Sequence, residues 1–342
     1  MKLRRILLAA ILVSGILVAF GQTPKPQQIG KAARVFVTNF GGDGVTVVDP
    51  EGGRVVANIK TGAMPHGVAI APDGSAVYVS NEGDGTLTII DPARNEAVAT
   101  IAVGKSPNQL EVSADGRHVF VTLNGENSLA VVDAASRKLV KSVPVGRAPH
   151  IALRSPNGKL IYVTCEGDMQ VVAVDAATWE VVSEIPILAF PRVPAITPTG
   201  ERIYQTIRWL NGALALDPAK KQVVDRIALG ESKFAVEGKD AHGLAITRDG
   251  RQLWLSTQTT DDVTIIDTSD HRILGRIFVG RDPNWIEFTP DGKLAAVSNT
   301  GSNDLSLIDV AQRREVARVK VGAAPKRLAV GNVIIGNDGK QP

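Results

Sequence analysis

From about residue 32 onward, apolar residues gather in short runs bounded by Gly, Pro, Asp and Asn, and no window shows sustained helical spacing. One stretch displays the whole cycle. Gly67–Ala71 is small and apolar, Pro72-Asp73-Gly74 is a turn, and Ala76–Ser80 is a β-branched and aromatic run. Asn81–Gly85 is a loop, Thr86–Asp91 alternates with period two, Pro92–Glu96 turns the chain, and Ala97–Val103 is a last strand. Four short strands per cycle are predicted.

The cycle recurs. Val35-Phe-Val-Thr-Asn39, Val77-Tyr-Val-Ser-Asn81, Val119-Phe-Val-Thr-Leu123, Ile161-Tyr-Val-Thr-Cys165, Ile203-Tyr-Gln-Thr-Ile207, Leu253-Trp-Leu-Ser-Thr257 and Ala295-Ala-Val-Ser-Asn299 start at intervals of 42, 42, 42, 42, 50 and 42 residues. Asp49, Asp91, Asp133, Asp175, Asp217, Asp267 and Asp309 close the following run at the same intervals, so one insertion of eight residues separates the fifth and sixth units. A four-stranded sheet cannot bury both faces alone, whereas seven packed around an axis can, and closing the ring protects the ends. The expected fold is all-β: a seven-bladed β-propeller of four-stranded antiparallel blades over residues 32–332. The chain enters at a second-strand string, Arg34–Thr38, and leaves at a first-strand string, Pro325–Val330. The C-terminal strand is therefore expected to complete the N-terminal blade, with 333–342 left as a frayed tail.

These strings, with their Pro-Asp-Gly turns and Ile-Asp endings, resemble the YVTN family of β-propeller repeats over essentially all of residues 32–330. The resemblance implies the fold firmly and, most often, a binding or scaffolding role. Related propellers include the d1-haem domain of cytochrome cd1 nitrite reductases, its biogenesis proteins and certain lactonases. The Gly-His…Trp-Asp signature of WD repeats is missing.

Ahead of the repeats, Met1–Arg5 is basic, Ile6–Phe20 is apolar and Ala19-Phe20-Gly21 offers small residues for cleavage, so residues 1–21 read as a secretory signal peptide. Residues 22–31 read as a flexible leader. The mature chain is expected in the periplasm or outside the cell, without a membrane span and as a monomer. Removing Lys2, Arg4 and Arg5 from 38 basic residues leaves 35 against 35 acidic ones, which argues against general nucleic-acid binding. The one cysteine, Cys165, stands at a strand end and reads as a buried, inert thiol; it excludes a disulfide framework.

The turns after first strands repeat with little change and read as structural, so the opposite face is expected to carry function. The residues that open each innermost strand there are His66, Asn108, His150, Arg192, His242, Asn284 and Lys326. Radial symmetry gathers them at the mouth of the central channel. All can hydrogen-bond, five can be cationic and none is acidic, which suits an anionic carboxylate or phosphate ligand. The bland alternative is that they cap strand ends and hold channel water. His66, His150 and His242 also suggest a three-histidine metal site, or an axial haem ligand, although nothing resembles a covalent haem-attachment motif. Arg208 and Trp209, near Phe190 and the insertion Glu231–Asp240 with its Phe234, depart from the repeat and suggest a stacking wall over a ligand; a hydrophobic plug is the other reading. Glu82, Glu126 and Glu166 occupy neighbouring loops. Two functions follow: an exported module binding a small anion or an envelope protein, requiring no cofactor, or a periplasmic enzyme or cofactor-handling protein of haem-d1 or lactonase type using the channel mouth.

Overall fold

The computed structural model describes residues 30–230 and 240–336. The signal-peptide reading, most of the leader, nearly all of the insertion including Phe234, and residues 337–342 lie outside the described residues. Among the described residues no helix is long and apolar enough to cross a membrane.

Seven four-stranded antiparallel sheets form a ring, and the only described helix is one 3-10 turn, Asn124–Glu126. Blade 1 is built from the last strand, Pro325–Ile335, hydrogen-bonded to Gly30–Asn39, Gly44–Asp49 and Arg54–Lys60. Blades 2 to 7 follow in chain order, each running from its innermost to its outermost strand. The predicted one-plus-three closure is what forms, and its seam is longer than the repeat alone suggests. Val35 pairs with Val330, and pairing continues outward to Gly30 and Ile335. Ala33 to Gly30 and Val333 to Ile335 therefore belong to the sheet, not to a leader or a tail. Val333 is fully buried, and Ile334 donates its N–H to the Gly74 carbonyl of blade 2 at 2.9 Å. Burial and that cross-blade bond keep the strand extended.

Second and third strands are buried on both faces, whereas the outermost strands keep one face in water. The core lies between neighbouring blades: Phe36, Val45 and Val47 of blade 1 pack with Val68, Val77 and Val79 of blade 2. Trp254 and Phe120 fill the same layer elsewhere in the ring, both with no exposure. On the structural face the turn glycines, Gly74 and its counterparts at 116, 158, 200, 250 and 292, have φ between +71 and +77°. A side chain there is strained, which explains why Gly recurs at that position.

One irregularity repeats around the ring and positions everything at the channel mouth. Pro65 pairs with Asn81 and Val68 with Val79, so His66 and Gly67 together face the single residue Ser80. Equivalent bulges occur at 108–109, 150–151, 192–193, 242–243, 284 and 326–327. A bulge leaves one backbone N–H out of the ladder and bends its strand. The Ser or Thr of the second-strand string meets that demand at Thr38, Ser80, Thr164, Thr206, Ser256 and Ser298. Thr38 Oγ1 accepts from the Arg327 N–H at 3.0 Å and donates to the His66 carbonyl of the next blade at 2.9 Å. Ser80 does the same between Gly67 and Asn108, and Thr206 between Val193 and His242. Thr122 and Ser298 reach the carbonyls of His150 and Lys326. The hydroxyl thus ties a bulge to the neighbouring blade. Thr38→Val, nearly isosteric, strands the buried Arg327 N–H and His66 carbonyl, and is expected to cost about 1–3 kcal/mol. Urea unfolding checks this; Thr38→Ser should recover most of the loss.

Candidate functional site

Bulges re-aim side chains, and here they send consecutive residues into the channel. The seven ring residues do come together: His66, Asn108, His150, Arg192, His242, Asn284 and Lys326 all line one cavity of about 530 Å³ at the mouth. His66, Asn108, His150, His242 and Asn284 are buried, whereas Arg192 and Lys326 are partly exposed. A second tier stands above them at the ends of the second strands. It contributes Glu82, Asn124, Glu166, Arg208 and Gln258 to the same cavity, with Phe40 in the equivalent position of blade 1.

The residue that organises the site is Arg327, which sequence reasoning missed. It has no exposure at all, yet its guanidinium crosses the channel from blade 1. Nη1 donates to Asn284 Oδ1 of blade 7 at 2.8 Å, and Nη2 to His150 Nε2 of blade 4 at 3.2 Å. The plane rests 4.4 Å from the Trp285 ring centroid, a favourable cation–π arrangement. Burial, then the charge of nearby Arg192, brings its pKa down to about 9. Its Nε, buried, has no partner among the described residues.

Acceptance by His150 Nε2 fixes that ring's tautomer: its proton sits on Nδ1, 3.5 Å from Glu166 Oε1. Glu166 also meets Arg192 Nη1 at 3.4 Å and Arg208 Nη2 at 3.2 Å. A ring without acids was therefore an incomplete description, because one carboxylate from the upper tier neutralises part of it. Arg208 joins the site through this pair. Trp209 does not: it is 55% exposed and packs edge-to-face on Phe190, outside the cavity. The expected stacking wall is thus a surface cluster beside the mouth. Glu126 is turned away as well, accepting the Lys105 N–H.

The three-histidine metal arrangement does not form. Among the described residues no three His, Cys, Asp or Glu side chains are placed to hold a metal. The reason is the guanidinium at the centre: His150 gives Arg327 its Nε2, and His242 Nδ1 lies 2.8 Å from the Asn284 carbonyl. His66 is edge-on to Phe40 with rings 5.5 Å apart, and its Nδ1 is buried without a partner. Cys165 is fully buried, and burial pushes its thiol up to about 12, so it is inert at neutral pH.

Electrostatically the channel is graded. Lys326, Arg327, Arg192 and Arg208 at the mouth face only Glu82 and Glu166. Further down, Glu287 accepts from Trp285 Nε1 at 3.0 Å and from the Val330 N–H at 3.0 Å, and shares a smaller chamber with Glu111. Burial, with Glu111 nearby, pushes its pKa up to about 7. Burial first, and neighbouring cations second, hold His66, His150 and His242 well below the ordinary 6.5.

Residues 32–150, spanning the first three blades and the opening of the fourth, match the family model of the cytochrome D1 haem domain. No curated protein sequence matches the chain. Among solved structures, a chain of Kuenenia stuttgartiensis hydrazine synthase is similar at 22% identity and a TM-score of 0.75, over 87% of this chain and 99% of that one. Dihydro-haem d1 dehydrogenase NirN is similar at 18% identity and a TM-score of 0.63, over 84% of this chain and 63% of that one. Pseudomonas aeruginosa periplasmic gluconolactonase is similar at 20% identity and a TM-score of 0.69, over 87% and 98%. At these identities the likenesses establish the propeller fold alone.

Stability should record the buried histidines. Their folded pKa values are lowered, so the stability tied to their neutral burial is complete above about pH 6.5 and is lost as pH falls below it. Glu287, with a raised folded pKa, works in the opposite sense below about pH 7. Glu111, raised by burial as well, works with Glu287, so two carboxylates are set against three histidines. Thermal melts are therefore expected to show Tm falling from pH 7 to pH 5, and falling less in His66→Asn; a rising Tm contradicts the assignment.

Proposed function

We propose that the protein binds a small anionic molecule, carrying carboxylate or phosphate groups, in the basic mouth of the propeller channel. The observation that supports this most is the pair on the closing strand. Arg327 is a buried guanidinium with an unused Nε–H, and Lys326 beside it has no carboxylate in contact among the described residues. Leaving such donors buried is costly, and an acceptor entering from the mouth relieves that cost. The cavity size falls within the range of small-molecule sites. In this reading Arg192 orients the ligand from the opposite wall while Glu166 sets its geometry, and Asn108 supplies a neutral polar contact. The face around Trp209 and Phe190 is where an envelope protein partner would dock, if the ligand belongs to one.

A second reading is favoured by the haem-domain match, which spans His66, Asn108 and His150. The residues fit a tetrapyrrole in kind: neutral His66 would offer a nitrogen ligand to its metal, and Lys326 and Arg192 would suit its carboxylates. The Arg327 bridge, occupying the axis, keeps any such group at the mouth and out of the channel. An exported location accords with both readings, since the N-terminal segment reads as a signal peptide and one similar fold is named as periplasmic.

Calorimetric titration with citrate, a sugar phosphate and inorganic phosphate tests the proposal. Binding is expected for at least one, weakened about tenfold or more in Arg192→Gln and Arg327→Gln, the loss typical of a charge-assisted hydrogen bond. Lys293→Gln, on the structural face, should bind as the parent does. Heat for none of the three anions overturns the anion reading, and a Soret band shifted on adding haem and lost in His66→Asn selects the second.

A further inference from the structure

We propose that Lys326 is a nucleophilic amine that condenses with the carbonyl carbon of an anionic aldehyde or 2-oxo acid held in the channel mouth. The choice of an anionic carbonyl rests on the anion-binding reading; the reactivity of the amine does not.

Four cations serve the cavity, and three are committed. Arg192 and Arg208 are held by Glu166, and Arg327 by His150 and Asn284. Lys326 makes no hydrogen bond or ion pair among the described residues; its Nζ stands 3.7 Å from the centroid of Phe40. The ring supports the ammonium from one side and leaves the amine facing the cavity. An unpaired lysine, partly desolvated and set beside another cation, is the arrangement that yields a free amine near neutral pH. Burial, then Arg327, brings Lys326 down to about 8 against the pull of Glu82. Roughly a tenth of the side chain is then neutral at pH 7.

The remaining parts of a condensation are close at hand. Arg192, partly exposed, and Arg327 behind it line the same cavity and provide the charge that receives the substrate's carboxylate or phosphate. His66 packs on the same Phe40 ring and is kept neutral by burial, so it adds no competing charge beside the amine, and water at the mouth carries the protons. The Nζ lone pair adds to the carbonyl carbon, forming a C–N bond while the C=O π pair moves to oxygen, which is protonated. The nitrogen gives up its extra proton to water, the hydroxyl leaves as water with a proton returned from solvent, and an imine remains. Amine and carbonyl become imine and water with no oxidant or reductant, and hydrolysis reverses the sequence.

The test is reductive trapping on the intact chain. Glyoxylate with sodium cyanoborohydride converts each reacting lysine to a carboxymethyl derivative that peptide mass spectrometry locates. Lys326 is expected to be labelled about tenfold or more faster than exposed Lys105, Lys138 and Lys293, in line with a desolvated amine against solvated ones. Lys326→Arg, which keeps the charge and should melt near the parent Tm, is expected to leave the other lysines labelled as before. Labelling of Lys326 no faster than the exposed lysines overturns the proposal. If inorganic phosphate slows its labelling selectively, both readings stand. If Lys326 is labelled fast and phosphate has no effect, the reactive amine stands and the anion reading falls.

Discussion

The ring depends on a hydroxyl with two neighbours. In each bulge the backbone surrenders a ladder bond, and at Thr38, Ser80, Thr206 and Ser298 the second-strand hydroxyl restores it while reaching for a carbonyl one blade further on. Hydrophobic packing between blades is non-directional and tolerates sliding; this bond does not. It fixes the angular step between sheets and also holds the bulges that point side chains at the axis. The same small residue therefore serves closure and site geometry. Its persistence across the eight-residue insertion, from Thr206 to His242, shows that the step is set inside the channel wall and not by the connecting loops.

A graded polarity is built on that frame. Apolar residues fill the space between blades, and nearly all polar function is confined to the axis, where burial makes each charge expensive unless it is answered. Arg327 is answered from two other blades and by an indole face, and Glu287 lower down is answered by the indole N–H of that same Trp285. One tryptophan thus stands between the cationic mouth and the chamber of Glu287 and Glu111, where Glu111 is answered by Arg154 at 3.7 Å. The three histidines share the mouth with the cations and remain neutral.

What could be read from the sequence follows from this construction. Blade number, strand count, mode of closure and the seven ring positions were legible because they are periodic, and periodicity survives the loss of every other detail. Arg327 was not, because alternation assigns neighbours on a strand to opposite faces, and only the bulge brings Arg327 in beside Lys326. The string of seven skipped registers has no local composition to announce it. Glu166 was visible as a loop acid, but that it binds Arg192 and Arg208 together depends on distances across blades. Trp209 departed from the repeat, yet departure marks variation and does not say which way a ring faces. The strand beyond Val330 lay outside the repeat register, so periodicity had no counterpart by which to place it.

The closing strand carries both Lys326 and Arg327, and it pairs with the first strand of the propeller, Gly30–Asn39. A chain with its seam open has six blades' worth of mouth, but no guanidinium across the axis and no amine at the rim. Assembly of the pocket and sealing of the ring are consequently one event. Whatever molecule the cations hold also clasps the seam between the first and last strands of the ring, so occupancy and resistance to opening at that seam must rise and fall together.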